Sequence, residues 1–109
     1  MTKEWVRVGA VSDFSEDGVF GAKIGSSRIA LYQVDEEIFA TDDYCTHGFA
    51  RLSRGFLEDG LIECPVHQGL FDVKTGAPKA LPCTEPLQTY DTRRDGADIF
   101  VLWSESGED

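Results

Sequence analysis

The chain has 109 residues, of which 41% are hydrophobic, enough for one domain with a modest core but not for two. Its formal net charge of −10, from 20 acidic and 10 basic residues, argues against nucleic acid as a partner. The first fifteen residues contain Glu4 and Asp13 and no apolar run, so no export signal is expected. No uncharged apolar run approaches the ~18 residues of a membrane-spanning helix, and we therefore expect a cytoplasmic protein without a membrane anchor.

Short runs of β-forming residues, separated by polar turns, occupy the first part of the chain. The predicted strands are residues 4–11, 19–24, 28–34 and 38–42. In the second of them Phe20, Ala22 and Ile24 alternate with other residues and are predicted to share one face. Because the connections are short, we expect the four strands to form an antiparallel meander. Asp42 and Asp43, at the end of the fourth strand, are interpreted mainly as solvated surface residues.

The second part of the chain contains further strand and turn signals. The predicted strands are residues 55–57, 61–63, 71–73, 87–92 and 98–103. Asp59-Gly60 predicts a hairpin that leads directly into Cys64, and Asp95-Gly96 predicts a closing hairpin. Residues 77–86 contain three of the four prolines, which predicts a rigid loop without regular structure.

Helical periodicity of useful length is absent from the whole sequence. The predicted fold is therefore all-β, an antiparallel sandwich or barrel. We expect a single domain at residues 1–103 and an acidic, disordered tail at residues 104–109.

Four of the five Cys and His residues of the chain lie in one segment, as Cys45, His47, Cys64 and His67. Thiolate sulfur and imidazole nitrogen are donors that suit the same metal ions, so the clustering predicts a metal site. Each half of the segment supplies one donor of each type. Glycine follows closely after each His, at Gly48 and Gly69, so the backbone is predicted to turn tightly there and to bring its N–H groups toward a cofactor.

Two cofactors fit this set of donors. One is a structural Zn²⁺ held by two Cys and two His, and the other is a [2Fe–2S] cluster with Cys on one iron and His on the other. Structural zinc sites usually pair Cys with Cys and His with His, whereas each short segment here mixes the two types. The spacing therefore favours the [2Fe–2S] cluster.

The segments Cys45-Thr46-His47-Gly48 and Cys64-Pro65-Val66-His67-Gln68-Gly69 together resemble the cluster-binding signature of Rieske proteins. Within that family the chain is most similar to the small ferredoxins of multicomponent aromatic-ring-hydroxylating dioxygenases. The resemblance implies a [2Fe–2S] cluster held by Cys45, His47, Cys64 and His67. It also implies a cluster-binding subdomain at about residues 43–84, with Leu81-Pro82 in a loop that packs over the cluster.

The sequence departs from the high-potential Rieske proteins at several positions. Those proteins carry an additional, disulfide-bonded Cys in each ligand loop, where this chain has Ala50 and Val66. They also carry a Ser and a Tyr hydroxyl after the second His, at the positions of Gly69 and Phe71. Since hydrogen bonds to the sulfurs stabilise the reduced cluster, the resemblance implies a potential near −150 mV, at the low end of the roughly −150 to +300 mV Rieske range. Cys83, which remains without a disulfide partner, is interpreted as a small apolar side chain under the proline-containing loop.

The resemblance implies an electron-transfer component rather than an enzyme. Such a ferredoxin takes single electrons from a flavoprotein NAD(P)H reductase and passes them to a terminal Rieske oxygenase. We expect a monomer, with Phe49 and Leu70 either contacting partners or shielding the cluster. Two alternatives remain open, namely the small subunit of a nitrite reductase and a structural zinc module that serves as an interaction domain.

Overall fold

The structure is a computed structural model, and it describes residues 3–46, 50–66, 68–81 and 83–104. Its strands in chain order are β1 (Lys3–Ala10), β2 (Val19–Ile24), β3 (Ser27–Val34), β4 (Glu37–Asp42), β5 (Phe56–Glu58), β6 (Leu61–Glu63), β7 (Leu70–Asp72), β8 (Pro78–Ala80), β9 (Thr89–Tyr90), β10 (Thr92–Asp95) and β11 (Asp98–Ser104). In this part of the chain the only helical segments are single 3-10 turns at Val11–Asp13 and Leu52–Arg54, and no helix could span a membrane. The predicted all-β fold is confirmed.

The strands form three antiparallel sheets. Strand order is β1-β11-β10 in the first sheet, β2-β3-β4-β9 in the second and β5-β6-β7-β8 in the third. The third sheet lies within the predicted subdomain at residues 43–84. Its first hairpin is the one predicted before Cys64, and Asp59 (φ 56°) and Gly60 (φ 79°) both adopt the left-handed conformation of a type I′ turn.

Strand β3 is buried on both faces, which places the second sheet in the middle of the molecule. Ile29 and Leu31 pack with Ile99 and Val101 of β11 in one hydrophobic cluster. The alternate residues Ala30 and Tyr32 belong to a second cluster, which they share with residues of the subdomain. The predicted face of Phe20, Ala22 and Ile24 is confirmed, since all three pack against the first cluster. The second cluster also contains Cys45 and Cys64, so the body of the domain directly supports the ligand loops.

The predicted four-stranded meander is wrong for its first strand. The β1 strand pairs with β11, with Lys3 opposite Ser104 and Ala10 opposite Asp98, and only β2, β3 and β4 form a meander. The closing hairpin is also different from the prediction. Its first strand is β10, while the preceding residues form β9 and pair with β4, with Ala40 opposite Tyr90. The β11 strand extends through Ser104, the first residue of the predicted tail, and the rest of that tail lies outside the described residues.

The prediction that residues 77–86 lack regular structure is wrong at Pro78–Ala80, which forms β8. The strand is short and at the edge of its sheet, with Phe71 opposite Pro78 and Leu70 opposite Ala80. Proline is compatible with such a position, because its missing N–H is needed only if a further strand lies on that side. This edge strand leads directly into the segment that contains Cys83.

Candidate metal centre

The first ligand loop begins at Cys45 and is closed at its base by backbone pairing. Tyr44 and Arg51 form an isolated antiparallel bridge, and the Cys45 N–H donates to the Ala50 carbonyl at 3.0 Å. The Cys45 side chain is 4% exposed. The first ligand loop therefore places the Cys45 sulfur in the core.

The second ligand loop begins at Cys64, directly after β6, and is closed in the same way. The Cys64 N–H donates to the Gly69 carbonyl at 2.8 Å, and the Cys64 side chain is 1% exposed. In both loops the cysteine N–H therefore bonds to the carbonyl five residues later, at Ala50 or Gly69. The two loops present their sulfurs to the same core from matching positions.

The tight turn that was predicted at Gly69 falls one residue earlier, at Gln68 (φ 61°). Glycine is needed at position 69 for a different reason, because a Cβ there would overlap Cys83 Sγ and lie 3.4 Å from the Ala80 carbonyl oxygen. Gly48, for which the same freedom was predicted, lies outside the described residues.

A buried carboxylate anchors the first loop to the middle sheet. Asp43 is fully buried, and its oxygens accept hydrogen bonds from Arg28 Nε (3.1 Å), Ser53 N (2.8 Å) and Ser53 Oγ (3.0 Å). The Asp43 backbone N–H also donates to the Arg28 carbonyl, and the Asp43 carbonyl accepts a hydrogen bond from the Leu52 N–H at 2.6 Å. The prediction that Asp43 is a solvated surface residue is therefore wrong.

Strand alternation was the signal that could have identified this anchor. Arg28 is two residues before Ala30 and four before Tyr32, so by strand alternation it lies on the face that these residues turn toward the subdomain. Asp43 is two residues after the fully buried Thr41 and is likewise expected on the same face as Thr41. A cation and an anion on facing positions of one layer predict a pair. Asp42, the other predicted surface aspartate, is half-buried and accepts a 2.6 Å hydrogen bond from the Tyr90 hydroxyl.

A third segment, of which residues 81 and 83–87 are described, contacts both loops through Cys83 and Glu85. The Thr46 hydroxyl donates to the Glu85 carbonyl at 2.9 Å, which connects this segment to the first loop. Leu81 is 78% exposed, whereas Cys83 is 4% exposed and belongs to the same hydrophobic cluster as Cys45 and Cys64. The Cys83 Sγ lies 3.8 Å from the Cys45 Sγ. No local sequence pattern places Cys83 beside the predicted ligand Cys45.

The surroundings of Cys64 and Cys83 disfavour the charged thiolate form of both side chains. Burial raises the pKa of the Cys64 thiol, and the hydrogen bond to Cys45 contributes further. Burial is also the main reason that the pKa of Cys83 rises to about 12, with the neighbouring Cys45 adding to the effect. A thiol in the surroundings of Cys64 releases its proton to a strong electrostatic attraction, such as that of a bound iron ion.

Of the four predicted ligands, the structure describes Cys45 and Cys64 and brings them together, since both belong to one hydrophobic cluster, where burial and the neighbouring Cys45 both raise the pKa of the Cys64 thiol. His47 and His67 lie outside the described residues, as do Phe49 and Pro82. Among residues 3–46, 50–66, 68–81 and 83–104, no three His, Cys, Asp or Glu side chains form a metal-binding group. The complete four-residue ligand set therefore remains a prediction.

The positions that distinguish high-potential Rieske proteins have well-defined surroundings here. Phe71 is fully buried in the hydrophobic cluster that also contains Cys64, and Gly69 is packed against Cys83. Val66 is 50% exposed. Leu70, predicted to contact partners or to shield the cofactor, is half-buried in β7.

Comparison with known proteins agrees with this arrangement. The family model described as the Rieske [2Fe-2S] domain matches residues 4–91. A ferredoxin subunit of anthranilate 1,2-dioxygenase from Burkholderia cepacia is 49% identical over 90 residues, which are 83% of each chain. The ferredoxin component of naphthalene 1,2-dioxygenase/salicylate 5-hydroxylase systems from a Ralstonia species is 48% identical over 101 residues, 93% of this chain and 97% of that one.

Solved structures show the same relationship. A ferredoxin from Sphingomonas yanoikuyae B1 superposes with a TM-score of 0.86 at 34% identity, over 93% of this chain and 100% of that one. The ferredoxin in a complex of reduced oxygenase and oxidised ferredoxin of carbazole 1,9a-dioxygenase gives a TM-score of 0.82 at 38% identity, over 90% of this chain and 92% of that one. A nitrite reductase small subunit is 23% identical and shares the fold alone. The chain belongs to the Rieske [2Fe–2S] family, in the group of ferredoxin components of aromatic-ring-hydroxylating dioxygenase systems, and its cofactor is a Rieske-type [2Fe–2S] cluster.

Proposed function

We propose that this chain carries single electrons from a flavoprotein NAD(P)H reductase to the terminal oxygenase of an aromatic-ring-hydroxylating system. In the proposal Cys45 and Cys64 bind one iron of the cluster, and His47 and His67 bind the other. The observation that carries it is the pair of matching loops, each closed by a cysteine N–H bond to a carbonyl five residues later. Both loops deliver a buried sulfur to one place.

The cluster supplies a one-electron redox centre, and the protein sets its potential through the groups around the sulfurs. Gly69 and Phe71 bring no hydroxyl to this region, and Phe71 instead fills it with a fully buried apolar ring. The proposal therefore includes a potential near −150 mV, at the low end of the Rieske range. A redox titration with a midpoint above zero would contradict this part.

Docking to the oxygenase is proposed to occur at the end of the molecule that carries the ligand loops. Val66, next to the predicted ligand His67, is 50% exposed, and Leu81 of the third segment is 78% exposed. An interface around a few apolar side chains suits a carrier that must leave after each transfer, with a buried area below about 1,200 Å². The net charge of −10 is proposed to increase the encounter rate with basic partner surfaces, so that transfer slows as salt is added.

The remaining parts of the proposal concern the cellular setting. Residues 43–84 are proposed to form the cluster-binding subdomain, supported by the third sheet and the two loops that it carries. A cytoplasmic monomer is proposed, in agreement with three cysteines that form no disulfide and with a reductase that uses NAD(P)H.

The decisive experiment combines electron paramagnetic resonance of the dithionite-reduced protein with iron and acid-labile sulfide analysis. A Rieske-type signal and two irons per chain are expected. A colourless protein with one zinc would support the interaction module instead and would overturn the carrier proposal.

Ligand variants provide a sharper version of the same experiment. Cys45→Ser and His67→Ala are expected to lose the Rieske signal. The matched control is Cys83→Ser, which changes a buried thiol in the same core and should retain two irons per chain. Single-turnover mixing with a reductase and an oxygenase then tests whether the loaded protein passes one electron between them.

A further inference from the structure

A third thiol lies in contact with the proposed ligand set. Cys83 Sγ is 3.8 Å from Cys45 Sγ, and both side chains are 4% exposed. The separation is within the reach of a hydrogen bond between sulfurs, and the geometry allows either sulfur to be the donor. The contact crosses from the third segment to the first ligand loop, between residues that are far apart in the sequence.

Metal ligation decides which sulfur donates. Cysteine binds iron as a thiolate, so a ligating Cys45 has no proton to give and can only accept. Cys83, surrounded by apolar side chains of the same hydrophobic cluster, keeps its proton and becomes the donor. The bond therefore has a fixed direction in the loaded protein, from Cys83 S–H to Cys45 sulfur.

The backbone holds the Cys83 thiol in this position from two sides. Its own N–H donates to the Ala80 carbonyl at 3.2 Å, which forms a turn directly after β8. On the other side its Sγ fills the space where a Gly69 side chain would otherwise lie. The thiol is thus wedged between the two ligand loops and has little freedom to turn away.

We propose that Cys83 is a positioning residue for the redox centre, which donates an S–H hydrogen bond to the Cys45 ligand sulfur and so raises the reduction potential. The physical reason is that the reduced cluster carries one more negative charge, and a donor to a ligand sulfur stabilises that charge. This inference rests on the proposed ligand role of Cys45. It gives the chain a donor to sulfur in a region where Gly69 and Phe71 provide none from their side chains.

The test measures the midpoint potential of holo-protein variants with redox titration, after iron analysis of each sample. Cys83→Val removes the donor and fills the site with a slightly larger apolar side chain, Cys83→Ala removes it and leaves a small cavity, and Cys83→Ser retains a donor. The Val and Ala variants are expected to shift to a lower potential, while the Ser variant stays closer to the parent protein. Val73→Ala is the control for a cavity in the same hydrophobic cluster and should leave the potential unchanged.

A second readout follows the proton itself. Pulsed electron–nuclear double resonance of the reduced protein, prepared in H₂O and in D₂O, should reveal an exchangeable proton coupling that is absent from Cys83→Ala. A structural role would not produce this difference.

Three results would overturn the inference: an unchanged midpoint in both the Val and Ala variants, a Ser variant shifted as far as the Ala variant, or loss of iron in all three. If only the Val variant fails to bind iron, the midpoint potentials of the Ala and Ser variants are compared in the same way. Absence of a Rieske signal from the parent protein would instead refute the ligand proposal, so the two failures are distinguishable.

Discussion

Replacing Asp43 by alanine should destabilise the first ligand loop, because this carboxylate connects the loop to the middle sheet. Its oxygens accept three hydrogen bonds, one from Arg28 Nε and two from Ser53. The substitution leaves the Arg28 guanidinium, whose side chain is only 20% exposed, without its carboxylate partner. It also leaves the Ser53 N–H without an acceptor.

The magnitude follows from the burial of the pair. Removing one partner of a buried ion pair costs about 3–5 kcal/mol, and the partial exposure of Arg28 places this case near 3 kcal/mol. A domain of this size has a total stability of about 5–15 kcal/mol. With about 4 °C per kcal/mol for domains near 100 residues, the melting midpoint should fall by about 12 °C.

Thermal melting of the oxidised holo-protein, followed at fixed scan rate by visible and far-ultraviolet circular dichroism, tests this prediction. The matched control is Asp98→Ala, which removes the exposed partner of Arg7 in an ion pair with side chains 54% and 49% exposed. An exposed pair contributes about 0–1 kcal/mol, so the control should melt within a few degrees of the parent protein. Equal melting points for Asp43→Ala and Asp98→Ala would refute the assignment of Asp43 as the anchor.

Two further predictions concern backbone space and pH. Gly55→Ala should greatly reduce the iron content of the purified protein, because the added Cβ overlaps the carbonyl oxygen of Glu63, the residue before Cys64. The control is Gly25→Ala, where the added Cβ enters open space. At φ 60° this substitution should lower the free energy of unfolding by only about 1–2 kcal/mol, and the protein should retain its iron. Burial raises the pKa of Tyr32 above its ordinary value of 10.0, so the unfolded chain releases this proton at alkaline pH before the folded chain does. Urea midpoints should therefore fall as pH rises above about 10, and Tyr32→Phe should make that decrease shallower.

Local signals in the sequence determined much of the site. The turn at Asp59-Gly60 fixed the hairpin that delivers Cys64, because both turn residues adopt positive φ as the type I′ turn requires. The alternation of Phe20, Ala22 and Ile24 correctly predicted which face of β2 is buried. The Cys and His pattern favoured a [2Fe–2S] cluster over zinc, and its resemblance to the Rieske signature predicted the cofactor that the family match confirms.

Only the tertiary structure decided which distant segments meet. The pairing of β1 with β11, the burial of Asp43 against Arg28 and the contact of Cys83 with Cys45 all join residues that no local pattern connects. Such contacts form because the two faces of β3 must each be covered by apolar side chains, and several chain topologies satisfy the same local preferences. The sequence by itself determined the cofactor class and predicted its ligands, whereas packing of the whole chain decided which buried groups surround Cys45 and Cys64.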